Sequence, residues 1–142
     1  MSKKLRRSKN VESADVGLVR DVIWKKSLQD RDTTLLCSIR KSLIKKIPGL
    51  TEEFNKQSRY FGYWVGIEKD RAYIYVQKKK LIIDICVKTS HTRDIRREGF
   101  KVKLRGNWQG QADWLTGWQV PHDTKKINVV IKWLLKAFKG NL

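Results

Sequence analysis

Carboxylates are what this chain is short of. Against 32 Lys and Arg it has 14 Asp and Glu, which leaves a formal charge of +18 on 142 residues. A chain so unbalanced repels itself unless a large anion cancels the excess, which points to nucleic acid first and acidic membrane second. Long apolar runs are also missing. No stretch approaches the roughly 18 apolar residues of a membrane-spanning helix, and the charged start has no apolar segment of the secretory type behind it. The expected location is the cytoplasm, without membrane insertion. Cysteine occurs only as Cys37 and Cys86, too far apart for a zinc-ligand or thioredoxin spacing. Buried free thiols are expected rather than a disulfide. No phosphate-cradling P-loop, G-x-S-x-G elbow or H-E-x-x-H helix is present, and no cofactor or metal is expected.

What the chain does have is aromatic and aliphatic bulk. It is 40% hydrophobic, with six Trp, four Tyr and four Phe, enough to fill one core. Residues 1–10 carry five cations (Lys3, Lys4, Arg6, Arg7, Lys9) and no acid, and their lack of large apolar groups predicts a disordered basic tail. Residues 11–142 read as a single domain. Its basic excess is concentrated between Arg71 and Arg105, where eleven cations face Asp84, Asp94 and Glu98, on the part of the chain that reads most strongly as strand.

Spacing supplies the elements. Leu18, Val19, Val22, Ile23 and Trp24 suit a short leading helix that packs its Trp on the core. Leu35, Leu36, Ile39, Leu43 and Ile47 recur every three or four residues, with Arg40, Lys41, Lys45 and Lys46 mostly off the stripe. That pattern predicts a helix capped near Thr33 or Thr34 and stopped at Pro48-Gly49. Thr51 to Lys56 reads as a short acidic helical stretch. The pattern then turns to β: 60–67, 72–76 and 81–87 form a meander through tight turns, the second at Gln77 to Lys80. Phe100, Val102 and Leu104 alternate with Lys101, Lys103 and Arg105 as a half-buried basic strand or extended loop. Trp114, Thr116, Trp118 and Val120 predict a strand ended by Pro121, whose nitrogen has no hydrogen to donate. A closing helix follows, capped at Asp123 or Thr124 and buried through Ile127, Val130, Ile131, Leu134 and Phe138. The order predicts an α+β fold, a mainly antiparallel sheet of four to five strands with helices packed on one face.

Three segments carry a resemblance over about residues 35–139: the helix LLCSIRKSLIKKI, the run YFGYWVGIEKDRAYIYVQKKKLIIDI, and the Trp- and Gly-rich NWQGQADWLTGWQV before the closing helix. Together they resemble a small domain of unknown function found at the C-terminal ends of bacterial and archaeal chains catalogued as predicted transport proteins. The resemblance implies the fold more than an activity. Members are often attached to restriction-endonuclease-like domains, which implies work beside nucleic acid. No residue here supports transport, since nothing can span a bilayer.

Candidate binding residues fall into clusters. Lys78, Lys79 and Lys80 at a turn can reach several phosphates at once, and with Arg71, Lys101, Lys103 and Arg105 they form one basic patch; the competing reading is a solvated turn that keeps an edge from aggregating. Arg93, Arg96 and Arg97 in the loop His91 to Gly99 offer guanidinium forks to phosphate or a base edge, or else make a solvated loop held by Asp94 and Glu98. Trp108 is an aromatic that a base can stack on, while Trp114 and Trp118 read as core.

Catalytic chemistry has thin support. His122-Asp123 lies at a helix start, where a structural role suffices, and His91 among arginines suits phosphate contact better than base chemistry. A restriction-type metal site would need an acid where Asp84-Ile85-Cys86-Val87-Lys88 has Cys86. The expected function is a non-enzymatic nucleic-acid-binding module, for DNA or RNA. One alternative is a protein-interaction module docking on a nucleic-acid-associated complex such as a nuclease, ribosome or phage defence assembly. The other is a metal-dependent nuclease using Asp84, Asp113 or His122.

Overall fold

An antiparallel sheet builds the centre of the molecule, and helices with one buried stripe each cover one side of it. The computed structural model describes residues 11–13, 18–66, 72–87, 89–103, 114–115 and 117–139. Along the chain come β1 (Val11–Ser13), α1 (Asp21–Trp24), α2 (Thr34–Lys46), β2 (Leu50–Asn55), β3 (Tyr60–Val65), β4 (Ala72–Val76) and β5 (Lys80–Val87). Then follow α3 (Thr89–Arg97), β6 (Lys101–Val102), β7 (Trp114–Leu115), β8 (Trp118–Pro121) and α4 (Ile127–Lys139). The strands pair antiparallel in the order β1-β2-β3-β4-β5-β8-β6, with β7 on the far end of β5. The α+β architecture is as expected, but the sheet is wider than four to five strands. Among the described residues six strands have three or more residues, and the two-residue β6 and β7 add to them. The additions are the three-residue β1, too small to show a periodicity, and β2, whose residues read as helix.

Residues paired across the ladder share a face, so the register separates the two sides of the sheet. Phe54, Phe61, Ile74, Ile83 and Trp118 lie in one row, each 0% exposed, and define the core side. Onto it pack Leu36, Ile39 and Leu43 of α2 and Val130, Trp133 and Leu134 of α4, with Trp24 edge-on to Phe61 at 5.9 Å. The leading helix thus packs its Trp inward as expected, although Val22 stays 73% exposed. At the end of α2, Gly49 at φ 77° turns the chain into β2, a conformation that costs glycine nothing. No helix among the described residues is long and apolar enough to cross a membrane.

The segment expected as an acidic helix, 51–56, is instead most of β2. Phe54 and Glu52 face Phe61 and Tyr63 across the ladder, and burial of Phe54 together with complete pairing of Glu52 outweighs local helix preference. Arg40 likewise departs from its expected solvated position: it is 3% exposed. It donates twice to Glu52, from Nε to Oε2 at 2.8 Å and from Nη2 to Oε1 at 2.7 Å, and from Nη2 to the Val19 carbonyl at 2.8 Å. Its guanidinium also lies 4.9 Å from the Trp24 ring centroid and 5.0 Å from that of Phe61. Tyr63 Oη and Val19 N complete the carboxylate's shell, at 2.5 and 2.8 Å. Burial by itself would lower the Arg40 pKa, but the Glu52 hydrogen bonds and charge reverse this and hold the guanidinium charged. Burial, then the Glu52 charge, pushes the Tyr63 phenol well above its ordinary range. Cys37 is a free thiol, half-buried rather than buried.

Removing one member of this network leaves a buried charge alone. Arg40→Met is therefore expected to cost about 3–5 kcal/mol in denaturant unfolding, and the double change with Glu52→Leu less than Arg40→Met alone. Tyr63→Phe is expected to cost roughly 1.5–3 kcal/mol near neutral pH through its lost bond to a carboxylate. Its pH signature follows from the sign of the shift. Above pH about 10 an unfolded tyrosine has lost its proton while folded Tyr63 keeps it, so the folded state holds more protons and stability falls as pH rises. The contribution is complete below that pH and is lost as pH climbs toward the folded value. Unfolding curves taken across this range should show a shallower alkaline decline for Tyr63→Phe than for the parent.

Candidate nucleic-acid interface

Antiparallel order places alternate connections at the same end of a sheet. The turn after β2 (56–59), the turn after β4 (77–79) and the chain leaving β8 at Pro121 therefore meet at one end, where β6 also begins. Arg59 N donates to the Asn55 carbonyl at 2.8 Å and closes the first turn, and Val76 N donates to the Arg59 carbonyl at 3.0 Å and ties that turn to the end of β4, with Arg59 held at φ 55°. Such a φ is uncommon for a side chain of this kind. His122 fastens the third. Its Nε2 lies 2.8 Å from the Gln77 carbonyl, which can only accept, so Nε2 carries the hydrogen.

The sequence-predicted lysines gather here. Lys78 and Lys79 are exposed at the turn tip, where Gln77 N donates to the Lys80 carbonyl at 3.0 Å. Lys80 is half-buried and donates from Nζ to Gln119 Oε1 at 3.1 Å. Gln119 pairs on its other side with exposed Lys101, so Lys80 and Lys101 flank β8 on one face. Lys79, Lys80, Lys101, Gln119 and Phe100 line a groove of about 280 Å³. Lys103, exposed, is one period further along the same face, anchored through its N–H to the Gly117 carbonyl at 3.4 Å. Among the described residues no ion pair joins Lys78, Lys79, Lys80, Lys101 or Lys103 to a carboxylate.

Sequence reasoning missed other cations at this end. Lys56 and Arg59 are exposed on the turn after β2, hidden because that stretch read as helix. Lys126 donates from Nζ to the Glu98 carbonyl, beside Gly99 at φ 97°.

The arginine cluster has a different form. The segment expected as a loop is the helix α3, because Thr92 and Ile95, spaced for one helical face, are buried at 1% and 0%. His91 lies with its ring 5.8 Å from that of Trp133, so it packs against α4 on the helical side of the sheet. Arg96 donates to the Val102 carbonyl at 2.9 Å and ties α3 to the edge strand, and Arg97 lies 3.9 Å from Asp94. Arg93, exposed, has neither bond. Of the three arginines, Arg96 reaches β6, the edge strand that also carries Lys101 of the lysine groove.

Lys3, Lys4, Arg6, Arg7, Arg71, Arg105 and Trp108 lie outside the described residues, as does Asp113. Trp118 is core, as expected, and the strand predicted around it is divided into β7 and β8 at Gly117, φ 53°. Asp84, 1% exposed, accepts a hydrogen bond from Gly117 N at 2.8 Å and so holds that break against β5. Among the described residues no three His, Cys, Asp or Glu come together as a metal-binding group. No family model, no curated protein and no solved structure matches this chain.

Crowded cations repel, and salt screens the repulsion. The triple change Lys78→Ala, Lys79→Ala, Lys101→Ala is expected to leave stability within about 0.5 kcal/mol of the parent. Its melting temperature should also rise less with added salt than the parent's, as measured by circular dichroism at low and moderate ionic strength.

Proposed function

We propose that this chain is a non-enzymatic nucleic-acid-binding module of the cytosol. In this reading the turn end of the sheet neutralises phosphates with Lys78, Lys79, Lys80, Lys101 and Lys103. The observation that carries it is that Lys79, Lys80 and Lys101, in a chain of formal charge +18, line one groove with Lys78 and Lys103 nearby, and that among the described residues no carboxylate is ion-paired to any of the five. A solvated turn would need one or two charges to discourage edge pairing. A cluster assembled from β5, β6 and a turn goes beyond that need. Arg93, exposed on α3, adds a guanidinium, and in this reading the basic tail, Arg71, Arg105 and Trp108, which lie outside the described residues, contribute as well.

The reading as a non-enzyme is supported by the duties of the titratable candidates. Asp84 holds Gly117 and His122 holds Gln77, so each has a structural duty. The proposed kinship with the small domain found on chains catalogued as predicted transport proteins rests on about residues 35–139: the helix at 35–47, the run at 60–85 and the Trp- and Gly-rich segment at 107–120.

Phosphate neutralisation releases counterions, so affinity should fall steeply with salt. With six or more contacts, binding of a fluorescent oligonucleotide should weaken by about a thousandfold or more between roughly 50 and 200 mM salt. Each lysine replaced by alanine should lower the slope of log K against log salt by about one. A flat salt response sinks the proposal.

A further inference from the structure

The side chains of the lysine groove offer hydrogen-bond donors, and the one side-chain acceptor among them is already engaged. Tyr75, Ile82, Gln119 and Lys101 pair in one row on the sheet face away from the helices. Lys80, two residues before Ile82 on the same strand, shares that face. It donates from Nζ to Gln119 Oε1 at 3.1 Å. An ammonium can only donate, so the Gln119 atom that meets it must be the carbonyl oxygen, and this fixes which way the amide is turned. What Gln119 has left to offer is its amide nitrogen, which makes no hydrogen bond among the described residues. Around it the groove of about 280 Å³ is completed by Lys79 and Lys101 and by Gly99, Phe100 and Pro121, which bring no polar side-chain atom. Lys79 and Lys101 are exposed, and among the described residues neither ammonium has a hydrogen bond or an ion pair.

Gln119 and Lys101 stand directly opposite each other across the ladder of β8 and β6, where side chains on one face start about 5 Å apart. An amide N–H and an ammonium so placed suit two neighbouring acceptors on one rigid group. On the major-groove edges of the bases, guanine has such a pair, O6 and N7. Adenine sets an amino donor beside its N7, cytosine presents an amino donor, and thymine has one acceptor beside a methyl group. Glutamine ordinarily reads adenine with both halves of its amide, donating to N7 and accepting from the amino group. With Oε1 held by Lys80 that mode is closed. An adenine in the groove would turn its amino group toward donors and leave a desolvated donor unpaired.

We propose that the groove reads the O6 and N7 edge of a guanine, with Gln119 Nε2 donating to one acceptor and Lys101 Nζ to the other, while Lys78 and Lys79 at the turn tip take adjoining phosphates. Lys80 holds the amide in the orientation that this requires. The inference rests on the nucleic-acid reading above and gives it a base preference. Guanine presents the same edge in an unpaired strand and in the major groove of a duplex, so one chemistry covers both sources.

The test uses the full chain and fluorescence anisotropy. The probes are labelled oligothymidylates with one central guanine, 7-deazaguanine, adenine or cytosine, and A·T duplexes with or without a central G·C pair. Guanine should bind more tightly than adenine and cytosine in the single strand, or the G·C duplex more tightly than the A·T one, by about fivefold to a hundredfold. The format that shows the gain identifies the source. The 7-deaza base, with a C–H in place of N7, should lose most of the gain in that format. Gln119→Leu should remove the preference and keep the salt slope, whereas Lys101→Ala should reduce both. Gln119→Glu should move the preference from guanine toward cytosine, whose amino group a carboxylate accepts. If guanine has no advantage in either format, or if 7-deazaguanine binds as well as guanine, the inference is overturned while the nucleic-acid reading stands. That comparison uses the parent chain and needs no variant to fold. A guanine preference that survives Gln119→Leu places the contact elsewhere and overturns the inference too. If none of the probes binds, the nucleic-acid reading fails and takes the inference with it.

Discussion

Glu52 is a carboxylate on the apolar side of a sheet, and much of the arrangement follows from keeping it paired. Its two oxygens together receive Arg40 from α2, Val19 from the leading segment and Tyr63 from β3. A buried charge of this kind adds little stability over apolar replacements but is very costly when incomplete, so it acts as a check on register. If β2 slipped by one residue against β3, Glu52 would move to the other face and so would Phe54. The alignment that satisfies Glu52 is also the one that turns Tyr60, Tyr73 and Tyr75 away from the core. The composition of that second face is thereby tied to an ion pair on the helical one.

Much of the fold was legible in the chain because strong periodicities survive without tertiary context. The stripes Leu35–Leu43 and Val130–Leu134, the apolar run 81–87 and the turn at Gln77 to Lys80 read correctly from spacing alone. Where reading failed, a long-range partner had overruled a local signal. Thr51-Glu52-Glu53 looks helical until Arg40 and Tyr63 are known to surround Glu52. Arg40 looks solvated for the same reason. The segment His91 to Arg97 is so polar that the burial of only Thr92 and Ile95, three residues apart, was too faint a stripe to mark a helix.

The candidate site was legible in kind but not in extent. A run of three lysines beside alternating Lys101 and Lys103 is visible as charge, and the structure joins Lys79, Lys80 and Lys101 in one groove across β8. The tyrosines gave no such signal. In sequence Tyr60, Tyr73 and Tyr75 look like ordinary strand residues, since period two says which residues share a side but not which side meets solvent. The ladder pairing Tyr60 with Tyr75, and the burial of Ile74 and Phe61 on the other side, put the half-buried tyrosines on the face away from the helices.

Core and interface are insulated from each other by the sheet between them. Lys80 and Lys101 lie two strand spacings apart, about 10 Å, at which a pair of like charges in water costs about 0.4 kcal/mol. Several such pairs are affordable for a domain whose apolar side does not depend on them, and screening over about 8 Å at physiological salt reduces the cost further. On the proposed function, a polyanion would replace each repulsion with attraction and, by favouring the assembled cluster, stabilise the fold by mass action. The Glu52 network, on the far side, holds the strands in register whether or not a ligand is present.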